Sequence, residues 1–205
     1  MLDVTERPVL IVGGGTVGAR KARGLLKAMA RRVRVVSPTF DPFMPQGVER
    51  IESPYNPVHL DGCHLVFAAT DRPEVNEAVV REARRRGILV CRADADEEEP
   101  GDFSTPAVLR EGPLTVTVSA GGSPALAARI RDEVAQRLDP AWVRLAEAVL
   151  VLRPRVLAVT RLTADQRKAI FRELASDAAG LAAAGGTETV WAWLLARCPE
   201  LVSHV

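Results

Sequence analysis

A chain of 205 residues with 27 Lys and Arg against 26 Asp and Glu carries a formal charge of +1, too even a balance to point to a nucleic acid or an anionic membrane as partner. It is long enough to bury a core. Its three cysteines (Cys63, Cys91, Cys198) stand far apart, with no C-x-x-C pair, which suits a reducing compartment. The opening MLDVTERP is acidic where a signal peptide needs a basic and then an apolar region, and no apolar run approaches the ~20 residues of a membrane span. These features describe a soluble, cytoplasmic protein with no nucleic-acid and no membrane partner.

The first predicted strand is Val9 to Val12, a short β-branched and leucine run of the kind buried on both faces. Gly13, Gly15 and Gly18 follow in G-x-G-x-x-G spacing, and Val17, Ala22, Leu25, Leu26 and Met29 then recur at helical spacing. Strand, glycine turn and helix together can bring backbone N–H groups and a helix N-terminus against a pyrophosphate. The alternative is a tight βα turn that binds nothing. A second strand is expected over Arg32 to Pro38, a short third over Val48 to Ser53 and a buried fourth over His64 to Asp71. A helix from Glu74 to Arg86 and a fifth strand over Gly87 to Cys91 complete an α/β pattern with a parallel sheet.

The pattern then changes. Ser104 to Ala120 reads as two strands joined by REGP, a hairpin rather than another βα unit. Ser123 and Pro124 suit the cap and first position of a helix. From Pro140 onward only helices are expected. Ala141 to Leu157 is apolar on more than one face, as in a helix buried against another helix or another chain. Thr163 to Ala179 and Thr187 to Arg197 are the other two, separated by the Gly- and Ala-rich AAGLAAAGG. Three parts result: an α/β unit over 1–103, a hairpin and helix over 104–139, and a helical tail over 140–205.

NAD sites usually end the second strand with an acid that binds the ribose hydroxyls. Here that residue is Ser37, followed by Pro38 and Thr39, so hydroxyls and backbone groups are left for the ribose. Arg32 and Arg34, the cations a 2′-phosphate would want, are expected mid-strand or earlier and facing solvent. Thr70 and Asp71 stand at the carboxyl end of the buried fourth strand, the edge where open α/β sheets bind ligands. Either they face a cofactor or Asp71 merely caps the next helix. Asn76 is a ligand contact or a first-turn polar residue. Asp94 opens an acidic run with Asp96, Glu97, Glu98 and Glu99. That run is a solvated loop, or else its first carboxylate serves beside a cofactor as a general base. His59, His64 and His204 have no ligand spacing with one another or with the cysteines, so no metal site is expected.

VLIVGGGTVGARKARGLL, LVFAATDRPEVN and DFSTPAVLREGPLTVTVSAGGSPALAARIRDEV follow one another here as they do in the precorrin-2 dehydrogenases of sirohaem biosynthesis. Over about residues 6–138 the chain resembles that family. The resemblance implies a Rossmann domain followed by a dimerisation segment, and a homodimer that interlocks hairpins and helices. It implies NAD as cofactor and a tetrapyrrole substrate, precorrin-2, oxidised to sirohydrochlorin with transfer of a hydride to NAD⁺. The family's dinucleotide contacts fall on the glycine turn, including Thr16 and Val17, and on Pro38 and Thr39. The family also lacks a regular acid at the end of the second strand. Its essential aspartate falls on Asp94 by counting forward through GILVCRAD, or on Asp96 by counting back from Phe103. Sheet register favours Asp94, because loop length is free.

The chain departs from the family in GGSP, one residue short, and in Ala120, where many members have serine. Both lie near the tetrapyrrole segment. Precorrin-2 bears eight carboxylates, which makes Arg20, Lys21 and the start of the Ser123 helix candidates for holding it. Two alternatives stand beside the dehydrogenase reading: a bifunctional enzyme that also inserts iron, and a non-catalytic NAD-sensing module, which has no need of the hairpin and GGSP block. The trifunctional form with a methyltransferase half is not expected.

Overall fold

The computed structural model describes residues 2–93 and 101–204. Two compact units share the chain, Met1–Thr105 and Pro106–Val205.

The first unit is built on five parallel strands: β1 (Val9–Val12), β2 (Val33–Ser37), β3 (Glu49–Glu52), β4 (Leu65–Ala68) and β5 (Leu89–Arg92). Their order across the sheet is β3-β2-β1-β4-β5. Helix α1 (Thr16–Lys27) follows β1, and α2 (Pro73–Arg85) follows β4. All four residues of β1 and all four of β4 are buried and apolar, which is why these strands take the centre. β3 reads ERIE and lies at the edge, where charged side chains discourage further pairing. Along β1 the side chains alternate between two cores, as strand geometry requires. Val9 and Ile11 join Ala19, Ala22 and Leu25 of α1, whereas Leu10 and Val12 join Val79, Val80 and Ala83 of α2.

The chain passes from β2 to β3 without a helix, and from β3 to β4 with only a single 3-10 turn, Pro57–Leu60. β5 starts later than the sequence pattern suggests. Gly87, at φ +68°, ends α2, with Gly87 N–H donating to the Arg84 carbonyl (3.1 Å) and Ile88 N–H to Ala83 (2.9 Å). That pair of bonds is a Schellman closure, so Gly87 belongs to the helix stop. Strand order reverses between β1 and β4, and at such a point the carboxyl ends of the strands open a crevice.

In the second unit β6 (Ala107–Glu111) pairs antiparallel with β7 (Leu114–Val118). Their loop is Gly112-Pro113 alone. Gly112 has φ +53° and proline holds φ near −65°, a combination that suits a type II′ turn. Helix α3 (Pro124–Arg137) packs on both strands and is capped by Ser123, whose Oγ accepts from Leu126 N–H at 3.3 Å. Helices α4 (Pro140–Ala158), α5 (Ala164–Glu173), α6 (Asp177–Ala182) and α7 (Thr187–Arg197) share a core containing Leu145, Leu152, Val156, Ile170, Leu174, Val190 and Leu194.

Two expectations are corrected here. The helix read from Thr163 to Ala179 breaks after Glu173, because Ser176 caps a new helix by accepting from Ala179 N–H (3.3 Å). The Gly- and Ala-rich separator is itself helical over most of its length, as alanine propensity favours. Among the described residues no helix is long and apolar enough to cross a membrane.

Candidate dinucleotide site

Four glycines shape the turn after β1, and packing accounts for three of them. Gly13 has φ +118°, and a Cβ on it would lie 2.6 Å from the Ala69 carbonyl carbon, just past β4. A Cβ on Gly14 would strike the Thr39 carbonyl and come within 2.8 Å of Ser37 Cβ. A Cβ on Gly18 would run into the Gly13 carbonyl, 3.0 Å from its carbon. Gly15 has nothing within 4 Å. It is the N-cap of α1, with no side-chain cap bond and no acid in the first helical turn. The outer N–H groups of that turn therefore have no partner from a capping side chain and carry the positive end of the helix dipole. Open space before such a terminus, where strand order reverses, fits a pyrophosphate.

Backbone bonds hold the cradle in place. Gly13 N–H donates to the Val36 carbonyl (2.9 Å), Ala69 N–H to Val12 (2.8 Å) and Ala93 N–H to Ala68 (2.9 Å), tying the strand ends together. The loop after β2 then folds back over the turn, with Asp41 N–H donating to the Gly14 carbonyl at 2.8 Å.

Most of the expected site residues gather at this edge. Ser37 ends β2 and is buried, whereas Pro38 and Thr39 are exposed. Thr16 is exposed and its hydroxyl donates to Asp41 Oδ2 at 3.0 Å. Val17 turns its side chain into the core beneath α1, so it faces a ligand with backbone only. Arg34 does not face solvent as expected. Its guanidinium donates to the carbonyls of His59 (3.1 Å) and Asp61 (3.0 Å) and is engaged there. Arg32 is exposed and precedes β2, at the end of the strand remote from the glycine turn.

Thr70 and Asn76 are bonded to each other. Asn76 Oδ1 accepts from Thr70 N–H (3.1 Å) and from the Thr70 hydroxyl (2.8 Å), while Asn76 Nδ2 donates to the Thr70 carbonyl (3.1 Å). Asn76 is thus a turn anchor, a role sequence pattern did not suggest. Asp71 is exposed, and the N-cap of α2 is Arg72, so Asp71 is not the cap.

Lys21 turns inward beneath the sheet edge. Its Nζ donates to Thr105 Oγ1 at 2.5 Å and lies 5.6 Å from the centroid of the Phe67 ring, against which Phe103 packs edge-on at 5.5 Å. Burial pushes its pKa below the usual lysine value, and burial likewise pushes the neighbouring Cys91 thiol up. Arg20, the other expected substrate cation, is exposed. Asp102 closes the far edge of the sheet, where its N–H donates to the Val90 carbonyl (2.7 Å) and its Oδ2 accepts from Val90 N–H (3.0 Å). Asp94 and Asp96 lie outside the described residues.

Asp41 is the residue that sequence reasoning passed over. Its Oδ1 accepts from Phe43 N–H at 2.7 Å while Oδ2 takes the Thr16 hydroxyl. The signal is an acid just past the second strand, between Pro38 and Pro42.

Fold and turn define a dinucleotide-binding α/β domain. A family model described as putative NAD(P)-binding matches residues 1–107, and the chain belongs to that family. The siroheme synthase of Methylobacillus flagellatus is 38% identical over 178 residues, covering 84% of this chain and 37% of the relative. Siroheme synthase 1 of Aeromonas salmonicida is 37% identical over 187 residues, covering 88% and 39%. The chain thus spans about two fifths of the length of these curated relatives. A solved structure titled SirC, precorrin-2 dehydrogenase shares the fold with a TM-score of 0.72 at 23% identity, covering 88% of this chain and 90% of that one.

Proposed function

We propose that the chain is an NAD-dependent precorrin-2 dehydrogenase, acting in the cytoplasm as a homodimer and converting precorrin-2 to sirohydrochlorin. The observation that carries this reading is the open space at Gly15, before an uncapped helix N-terminus at the point where strand order reverses. The names of the relatives supply the reaction: siroheme synthases at 37–38% identity and a precorrin-2 dehydrogenase of the same fold.

NAD⁺, when bound, supplies the hydride acceptor. The backbone N–H groups of Gly15, Thr16, Val17 and Gly18 would hold its pyrophosphate, over the turn that Gly13 shapes. Ser37, Pro38 and Thr39 would border the adenosine ribose, and Thr70 and Asp71 would line the edge past β4. Asp94 takes the proton that substrate loses as the hydride departs, which keeps the two-electron oxidation balanced. Lys21 and Arg20 offer positive charge to substrate carboxylates.

The three parts of the chain serve separate ends in this reading: cofactor binding over 1–103, dimerisation over 104–139 and a helical domain over 140–205. Across 104–139 only Ala127 is buried in the single chain, although Leu109, Leu114, Val116 and Val118 are half-covered. A hairpin and one helix with so little core need a further surface.

The Asp94 and Asp96 variants test the chemistry. Asp94→Ala should cut turnover by about 10²-fold or more while NAD⁺ affinity stays near wild type. Asp96→Ala should keep turnover. The reverse result moves the base two residues along, and full turnover in both removes the acidic run from the chemistry.

A further inference from the structure

We propose that Asp41 selects NAD over NADP in this site, an inference that rests on the dinucleotide reading above. Ser37 leaves the end of β2 without an acid, yet the chain restores one by folding back. Asp41 N–H is bonded to the Gly14 carbonyl, and the Thr39 carbonyl lies against Gly14. This loop carries the Asp41 carboxylate to Thr16, the first residue of α1 and the neighbour of the open Gly15. The adenosine ribose of a bound dinucleotide belongs between the glycine turn and the end of the second strand.

Two bonds position the carboxylate without exhausting it. It accepts once on each oxygen, from Phe43 N–H and from the Thr16 hydroxyl. A carboxylate has about four acceptor directions, so roughly one on each oxygen remains for a ribose hydroxyl. A 2′-phosphate brought to the same place would set like charges together, which disfavours NADP⁺. Two cations that could compensate, Arg34 and Arg50, are engaged elsewhere. Arg34 is held by the His59 and Asp61 carbonyls. Arg50 donates to the Met44 carbonyl (2.9 Å) and stacks 5.7 Å from the Phe40 ring.

The test is calorimetric titration of NAD⁺ and of NADP⁺ into wild type, Asp41→Asn and Asp41→Ala, with thermal unfolding of each variant alongside. Asn keeps the shape and one acceptor oxygen for Phe43 N–H, while its NH2 can donate to the Thr16 hydroxyl in place of the bond that Oδ2 accepts, so the charge goes and the loop should stay folded. Wild type should prefer NAD⁺. Asp41→Asn should tighten NADP⁺ about tenfold or more by removing the repulsion, and Asp41→Ala should in addition weaken NAD⁺ through loss of the ribose bond. An unchanged NAD⁺ to NADP⁺ ratio in both folded variants overturns the role of Asp41 and leaves the site standing. A wild-type preference for NADP⁺ also overturns it. Binding of neither dinucleotide to wild type removes the site, and this inference with it.

Discussion

Asn76, fully buried on the first turn of α2, grips Thr70 by its N–H, its hydroxyl and its carbonyl at once. Thr70 follows Ala69, whose carbonyl lies where a Cβ on Gly13 would go. One buried amide thus fixes the edge that faces the glycine turn. Asn76→Ala takes the amide partner from the Thr70 N–H and carbonyl, while the hydroxyl keeps the Arg72 carbonyl (3.1 Å), and should cost about 1–3 kcal/mol for the worst-placed group. Urea denaturation measures the loss, and NAD⁺ affinity should fall with it. Unchanged stability would mean that water replaces the amide without cost.

The glycines should separate into two classes. Gly18→Ala drives a Cβ into the Gly13 carbonyl and should lower the melting temperature as well as cofactor affinity. A Cβ at Gly15 meets nothing within 4 Å, so in Gly15→Val the fold should survive while the pyrophosphate is kept away. Melting curves and NAD⁺ titrations, read together, check both. A Gly15→Val protein that binds NAD⁺ as wild type does would take the turn out of the site.

Tyr55 should be a stability liability at neutral pH and a pH sensor at high pH. Its hydroxyl oxygen is buried without a hydrogen-bond partner, so Tyr55→Phe should stabilise by about 1 kcal/mol. Burial, helped by the Glu82 carboxylate, pushes its pKa up to about 12. The unfolded chain loses the phenol proton near an ordinary value of 10.0, before the folded one does. The contribution of this proton to stability is therefore full below pH 10 and lost as pH rises towards 12. Tyr55→Phe should flatten that alkaline decline in denaturation midpoints.

The chain should sediment as a dimer at micromolar concentration. Trp142, Leu150, Val151 and Leu157 of α4 are exposed in the single chain, Leu150 at 65%. Together with the thin core of the hairpin and α3, they call for a large apolar interface. A monomeric mass would contradict this.

The central strands and the glycine turn were legible because a short unbroken apolar run and G-x-G-x-x-G spacing leave local marks. β1 and β4 are buried on both faces and read as unbroken apolar runs. The end of α5 was not legible, since Ser176 looks like any polar residue until its Oγ is found on Ala179 N–H. The grip of Asn76 on Thr70, and Asp41 altogether, were not legible for a related reason. Their partners, Thr70 and Thr16, are set by how a turn closes and by how a loop folds back, and neither leaves a periodic trace. The Gly-Ala run misled because small residues serve loops and helices alike, and tertiary packing chose the helix.

The most direct measurement is anaerobic mixing of the chain with precorrin-2 and NAD⁺, following NADH absorbance and the sirohydrochlorin spectrum together. NADH should appear in step with sirohydrochlorin, one for one, because a single hydride leaves each substrate molecule. NAD⁺ binding without any NADH formed from precorrin-2 would contradict the dehydrogenase and leave a nucleotide-sensing module in its place.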